Sequence, residues 1–140
     1  MTVTLDHQIE FNGLLMGADT PYQIISQQGF GLPEIRTADL ARYDTDGVVA
    51  GRDRKDARRV ILELLVIGAT ASNLWQLLKA LRDAAIVGNA SYPLDFQLPY
   101  EGRNRLQARC RRLEFAEQKG PLAMRVLVEF VAPDPTWVPV

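Results

Sequence analysis

The segment MRVLVEFVAPDPTW, residues 124 to 137, combines a strand pattern with an uncommon ending. Apolar side chains occupy every second position from Met124 to Phe130, and polar or charged side chains lie at two of the positions between them. A period of two is typical of a β-strand that buries one face. The segment therefore predicts an amphipathic strand that leads directly into the acidic-Pro-x-aromatic motif at 134–137.

Similar alternation predicts strands along most of the chain. The first two form a short hairpin from His7 to Met16 that turns at Asn12-Gly13. The other predicted strands are Tyr22 to Gln28, RRVILELLVIG (58–68), YPLDFQLP (92–99) and RLQARCRRLEF (105–115). In RRVILELLVIG both faces are apolar except at Glu63, which predicts a central strand covered on both faces. In RLQARCRRLEF the apolar parity changes after Cys110, which predicts a β-bulge near Arg111-Arg112.

One helix is predicted between these strands. Thr70 and Ser72 are candidate N-caps, the helix continues to about Val87, and Gly88-Asn89 is a typical stop. Its apolar face consists of Leu74, Leu77, Leu78, Leu81 and Ala85. Because such a face has to be buried against the strands, the sequence predicts a mainly β fold of the α+β class: a β-sandwich or open barrel with one flanking helix. We expect a single domain over residues 1–140, since a chain of this length can bury a self-sufficient core.

The apolar periodicity is lost between residues 29 and 56, where glycine and charged residues are frequent. This predicts a long loop or an extended hairpin arm. Residues 39 to 59 carry nearly balanced charge, from Arg42, Arg52, Arg54, Lys55, Arg58 and Arg59 against Asp39, Asp44, Asp46, Asp53 and Asp56. A long segment outside the core that carries both signs of charge suits a repeated subunit interface. A solvated loop is the alternative.

The composition is that of an ordinary globular protein, with 47% hydrophobic residues and a formal charge of −1. So small a net charge gives no overall attraction to nucleic acid or to an anionic membrane. The longest apolar run, residues 64–67, is far too short to span a bilayer, and the N-terminus lacks a signal-peptide pattern, so we expect use without secretion and no membrane partner.

Few residues offer chemistry. His7 is the only histidine and Cys110 the only cysteine, which leaves no pair of such side chains for catalysis or for a Cys/His zinc site. Cys110 lies at an apolar position of its strand, where a buried thiol is the expected role. The sequence therefore predicts no enzyme activity, no cofactor and no metal.

Five arginines stand out in RNRLQARCRR, at positions 103, 105, 109, 111 and 112. A basic strand from Arg103 to Arg112 can follow a phosphate backbone, so a nucleic-acid-binding domain is an alternative of a different class. The strand lacks the aromatic residues on which bases stack. Outward arginines that pair with neighbouring strands or subunits are the simpler expectation.

The order and spacing of these segments resemble the N-terminal, ring-forming domain of phage distal tail proteins. The resemblance covers residues 9 to 137 and rests on IEFNG, PYQI, GFGLPEIR, the Asp-Gly at 46–47, RRVILELLVIG before SNLWQLLKALRDA, YPLDFQL, RLQARCRRLEF and VEFVAPDPTW. Larger members of that family often continue into a second, carbohydrate-binding-like domain, which this sequence is not expected to have.

The resemblance implies a structural role in the virion without catalysis. It implies a homohexameric ring between the tail tube and the tail tip or baseplate, made in the host cytoplasm, with a central channel through which DNA passes only as cargo. The implied partners are other copies, a tail tube protein, a tail tip or hub protein and a tape-measure protein. The subunit interface is predicted at Arg42, Asp44, Asp46, Arg52, Asp53, Arg54, Lys55 and Asp56. A tail tube or tube-completion protein is the alternative within the structural class.

Overall fold

In a computed structural model, the chain is described at residues 3–31, 57–85, 90–99 and 101–140, together with the backbone of four two-residue strands between 35 and 55. The elements are β1 (Ile9–Phe11), β2 (Leu14–Met16), β3 (Tyr22–Gln28), β4 (Ile35–Arg36), β5 (Leu40–Ala41), β6 (Val48–Val49), β7 (Arg54–Lys55), β8 (Arg58–Ile67), α1 (Ala71–Ala85), β9 (Tyr92–Leu98), β10 (Gly102–Gln118), β11 (Ala123–Ala132) and β12 (Val138–Pro139). This is the predicted mainly β chain with one described helix.

The main strands form one antiparallel path in the order β2-β1-β9-β10-β11-β8-β3, and β12 pairs with β10 beside it. The 17-residue strand β10 connects the two halves of this path. Its first part, 102–108, pairs with β9, and its second part, 109–118, pairs with β11. The path ends at β2 and β3, as in an open barrel.

The predicted β-bulge in β10 is confirmed. The register with β11 shifts between Cys110 and Arg112, so Arg111 is the extra residue, and a second shift follows between Phe115 and Glu117. Because a bulge inserts one residue, it exchanges the faces of all residues after it. Leu113 therefore pairs opposite Val128 on the apolar side.

The core lies where the two halves of the path face each other. The rings of Phe11 in β1 and Phe130 in β11 approach to 4.5 Å between centroids. Buried residues from both halves surround them, including Leu94 and Phe96 of β9. The apolar alternation seen in the sequence thus produces one continuous core.

The expectation that β8 is covered on both faces is wrong. Val60, Leu62, Leu64 and Val66 are fully buried, but the residues between them are only half-buried, and Ile67 is 40% exposed. On this outer face, Arg125 Nη1 of β11 donates to Glu63 Oε1 at 2.8 Å. Half-buried aliphatic side chains and the Glu63–Arg125 ion pair share the outer face of β8. The aliphatic run therefore does not mean that this face is covered by a second layer.

Helix α1 closes one side of the core. Thr70 is its N-cap, since the Thr70 Oγ1 accepts from the Asn73 N–H at 3.1 Å. The predicted apolar face is confirmed, with Leu74, Leu78, Leu81 and Ala85 buried and Leu77 half-buried. The predicted stop at Gly88-Asn89 lies outside the described residues. Within the described ranges, no helix is long and apolar enough to cross a lipid bilayer.

The segment between β3 and β8, residues 29–57, here called the arm, contains strand pairs. Ile35–Arg36 pairs antiparallel with Arg54–Lys55, and Leu40–Ala41 pairs antiparallel with Val48–Val49. Nested antiparallel pairs are the pattern of a β-hairpin. Of the two predicted forms, the described backbone therefore favours the extended hairpin over a structureless loop.

Replacing Leu78 with alanine should lower the free energy of unfolding by about 2 to 5 kcal/mol, because a fully buried leucine leaves both lost transfer energy and a cavity. Leu78 is 1% exposed. Its exposed neighbour Lys79 provides the control, and Lys79→Ala should change stability by less than about 0.5 kcal/mol. Urea denaturation followed by circular dichroism measures both. Equal effects of the two substitutions would show that the helix face is assigned wrongly.

Candidate assembly interface

Most of the predicted interface residues cannot be placed. Arg42, Asp44, Asp46, Arg52, Asp53 and Asp56 lie outside the described residues. Arg54 and Lys55 belong to β7, of which the backbone pairing is described but not the side chains. The interface at these eight positions therefore stays a prediction, and the described residues define the base of the arm instead.

The structure corrects the count of basic residues available for subunit contacts at one position, Arg58. It was counted among the basic residues available for subunit contacts, but it is only 6% exposed. Burial lowers the pKa of its guanidinium from the ordinary value. Arg58 therefore acts inside its own subunit, whereas the adjacent Arg59 is exposed.

The guanidinium of Arg58 joins two separate segments of the chain. Its Nη1 donates to the carbonyl oxygens of Gly29, at 2.6 Å, and Gly31. Its Nε donates to the carbonyl oxygen of Pro135 at 2.9 Å. The first two acceptors lie at the start of the arm and the third lies in the segment after β11. We call this set of contacts the Arg58 clamp.

Trp137 completes the Arg58 clamp. The centre of its ring lies 4.3 Å from the Arg58 guanidinium carbon, a distance typical of a cation–π contact. The Trp137 ring also meets Phe96 of β9 edge-on at 5.1 Å, and Phe96 meets Phe30 at 4.7 Å. Three rings and one guanidinium thus hold the base of the arm against β9.

The remaining residues of the terminal motif shape the chain between β11 and β12. Asp134 Oδ1 accepts from the Thr136 N–H at 3.1 Å, which makes a local turn. That turn leaves the Pro135 carbonyl as the acceptor for Arg58 and directs Trp137 onto Phe96. The Asp-Pro-Thr-Trp motif is therefore a structural tie between the last long strand and the arm.

Gly29 is required at the start of the arm. Its φ is +102°, a conformation that L side chains rarely adopt. A Cβ atom at this position would lie 1.9 Å from the carbonyl oxygen of Arg59. The close backbone approach fixes the direction in which the arm leaves β3.

Sequence reasoning missed the Arg58 clamp. Arg58 begins a strand beside Arg59, and the two arginines are equivalent by type and local context. The alternation of side chains along β8 could have indicated the burial of Arg58, because Arg58 lies on the same face as Val60 and Leu62. Its acceptors, however, are backbone carbonyls from segments 27 to 77 residues away, which no local pattern identifies.

The arginines of β10 are partly engaged with carboxylates. Arg105 makes two hydrogen bonds to Asp95 of β9, Nε to Oδ1 at 2.7 Å and Nη2 to Oδ2 at 3.0 Å. The hydrogen bonds that Arg105 donates to Asp95, together with the negative charge of Asp95, raise the pKa of Arg105. Arg112 donates to Glu114 at 2.7 Å. The expected pairing with neighbouring strands is thus seen for Arg105, and these contacts reduce the free positive charge that a nucleic-acid site would need.

Neither residue considered for chemistry has a catalytic arrangement. His7 is exposed, and its Nδ1 accepts from Gln27 Nε2 at 3.0 Å. Cys110 is buried in β10, and burial raises the pKa of its thiol to about 11. In the part of the chain that is described, no group of three or more His, Cys, Asp or Glu side chains could hold a metal ion.

No protein-family model and no curated protein matches the sequence. Solved structures do match. The crystal structure of the SPP1 Dit protein, described as a paradigm of the hub adsorption apparatus in phages that infect Gram-positive bacteria, is 17% identical with a TM-score of 0.74. The match covers 93% of this chain and 51% of that chain.

Two structures of the phage p2 baseplate in its activated conformation, one with Sr and one with Ca, also match. Each is 10% identical with a TM-score of 0.69; they cover 94% and 95% of this chain and 44% and 46% of theirs. The chain spans about half the length of the chains that it matches. At 10 to 17% sequence identity, the likeness establishes the fold. The predicted resemblance to phage distal tail proteins is confirmed at the level of the fold.

Replacing Trp137 with alanine should lower the free energy of unfolding by about 1 to 3 kcal/mol, because the half-buried ring loses its contacts with Phe96 and Arg58. The other tryptophan, Trp75 on α1, is 50% exposed and provides the control. Trp75→Ala should change stability by less than about 0.5 kcal/mol. If chemical denaturation gave the two variants the same loss, the contacts of Trp137 would contribute nothing specific.

Cys110 should be nearly inert in the folded protein. With a thiol pKa of about 11, only about one molecule in a thousand carries the thiolate at pH 8. Reaction with an aromatic disulfide reagent should therefore be at least about a hundredfold slower in buffer than in unfolding concentrations of urea. Rapid labelling of the native protein would contradict the buried position.

Proposed function

We propose that this chain is a structural phage tail protein that forms a ring of six copies joining the tail tube to the tail tip or baseplate. The likeness to the SPP1 Dit protein carries this proposal, because it extends over 93% of the chain at a TM-score of 0.74. Matches to two p2 baseplate structures support the same placement.

In the proposed ring, the arm makes much of the contact between neighbouring copies. The Arg58 clamp and Gly29 fix its base, so that the arm leaves the core in a defined direction. Its paired strands make it an extended hairpin. A projection on one side that binds a different surface on the next copy is a heterologous contact, which closes into a ring when the rotation between copies permits.

The predicted interface, Arg42, Asp44, Asp46, Arg52, Asp53, Arg54, Lys55 and Asp56, belongs to this proposal. The near balance of its charges favours pairing with a copy of the same chain over binding a uniform polyanion. DNA would then be cargo that passes through the channel. The other proposed partners are the tail tube protein, the tail tip or hub protein and the tape-measure protein, within the virion tail.

A hexamer of 15.7 kDa chains has a mass of about 94 kDa, which light scattering distinguishes from a monomer. Replacing residues 39–48 with Asn-Gly should abolish this species while leaving the melting temperature within a few degrees of the original, because the removed residues lie beyond the clamped base. Size-exclusion chromatography with light scattering and electron microscopy, alone and with tail tube protein, measures assembly.

Leu78→Ala is the matched control for this deletion. It weakens the core but keeps the arm, so it should melt earlier and still form rings at low temperature. The proposal fails if the original protein is monomeric both alone and with its tail partners. It is wrong about the arm if the shortened protein assembles as well as the original does.

A further inference from the structure

The turn between β1 and β2 has the sequence Asn12-Gly13, the only Asn-Gly pair in the chain. Phe11 of β1 pairs with Leu14 of β2, so these two residues alone join the strands. Their φ angles are +49° and +84°, as a type I′ hairpin turn requires. Asn12 and Gly13 are both exposed, so water reaches the turn.

The side chain of Asn12 also reaches helix α1. Its Nδ2 donates to the carbonyl oxygen of Ala84 at 3.1 Å, across 72 positions in the sequence. Ala84 lies in the last turn of α1, where carbonyl groups lack partners within a helix. The adjacent Ala85 is 2% exposed, so this end of the helix packs into the core. The Asn12 amide therefore ties the end of α1 to the β1–β2 turn.

The same pair of residues is prone to a reaction of the side-chain amide. The main-chain nitrogen that follows an asparagine can attack the amide carbon, and a side chain on the following residue hinders this approach. Gly13 has no side chain, and apart from its chain neighbours no described atom lies within 4 Å of where its Cβ would be. Asparagine is among the thermally labile residues of proteins. Asn12 thus combines a labile amide with a hydrogen bond that depends on that amide.

We propose that Asn12 is a modification site at which the protein slowly converts its own amide to a carboxylate, and that this conversion detaches the end of α1. The main-chain nitrogen of Gly13 gives up its proton and bonds to Asn12 Cγ, and Nδ2 takes up a proton and leaves as ammonia. Water then opens the resulting cyclic imide at one of its two carbonyl carbons. The net reaction consumes one water and releases one ammonia, so it needs no oxidant and no second reactant.

Both products remove the tie. Breaking the bond from the ring nitrogen to Cγ gives aspartate, which has no N–H to donate to Ala84 and places a negative charge at the negative end of the helix dipole. Breaking the bond to the main-chain carbon gives isoaspartate, which adds a methylene group to the main chain. A two-residue turn has no room for this extra atom without a shift of Phe11 or Leu14. Phe11 packs against Phe130, so that shift reaches the core.

The folded turn slows the reaction. The main-chain N–H of Asn12 donates to the carbonyl oxygen of Pro93 at 3.5 Å, and its side chain donates to Ala84. Attack on Cγ requires the side chain to rotate out of the second hydrogen bond. The reaction therefore proceeds from molecules in which the turn or the end of α1 has opened locally. Conversion keeps that end open, because the donor is then lost.

Ageing of the purified protein tests the chemistry. Weeks at physiological temperature should convert Asn12 to isoaspartate and aspartate, which tandem mass spectrometry and labelling by an isoaspartate methyltransferase detect. Asn73, which precedes Leu74, is the control within the same molecule and should keep its amide. Conversion should be at least about tenfold faster in unfolding concentrations of guanidinium chloride than in buffer. An intact Asn12 amide after ageing in both solutions would overturn the proposal, and equal rates would overturn the protection by the folded turn.

Hydrogen exchange tests the consequence for α1. Amides of residues 81–85 should exchange at least about tenfold faster in Asn12→Asp than in the original protein, and the converted fraction of aged protein should match the variant. Gln23→Glu makes the same change from amide to acid at an exposed residue of β3, and it should leave these amides unchanged. Unchanged exchange at 81–85 in both Asn12→Asp and the converted protein would show that Asn12 does not hold the helix. That outcome would overturn this inference and leave the proposed tail function intact, since neither depends on the other.

Discussion

The change of partner along β10 is the constraint on which the rest of the fold depends. One strand pairs with β9 over its first seven residues and with β11 over the remainder, so both halves of the sheet share a single backbone. The bulge at Arg111 occurs just after this change and turns Leu113 toward the apolar side. Phe11 of β1 and Phe130 of β11 meet across the core between the two halves. The order of the strands on both sides of the core follows from this one strand.

The Arg58 clamp adds a long-range tie to this framework. Three hydrogen bonds to carbonyl groups offset part of the cost of burying the guanidinium, and none of these acceptors carries a charge. The clamp joins the start of the arm to the segment after β11, so two loops that are far apart in sequence are held as one unit. Replacing Trp137 therefore removes a contact of Phe96, which in turn packs against Phe30. Precise placement of a projecting hairpin is what a repeated contact between identical copies requires.

Periodicity predicted the local structure well and long-range contacts poorly. The strand from Tyr22 to Gln28, the helix face and the bulge at Arg111 were predicted because each depends on side chains that are neighbours in sequence. The second face of β8 was assigned wrongly because an aliphatic residue looks the same whether it is covered or only half-buried beside an ion pair such as Glu63–Arg125. The clamp was missed because its partners are backbone atoms. For the candidate interface, the loss of apolar periodicity indicated the arm, but the charge count could not identify Arg58 as a buried residue.

The chemistry of the Arg58 clamp also bears on the conditions that the protein can withstand. Arginine stays protonated in proteins, and peptide carbonyls do not titrate, so the clamp contains no group whose charge changes between acidic and alkaline surroundings. Its cation is shielded from solvent, so dissolved salt screens it less than it screens the exposed pair Arg112–Glu114. The tail role proposed above would expose the protein to surroundings of very different acidity and ionic strength. The base of the arm is held by the kind of contact that such changes affect least.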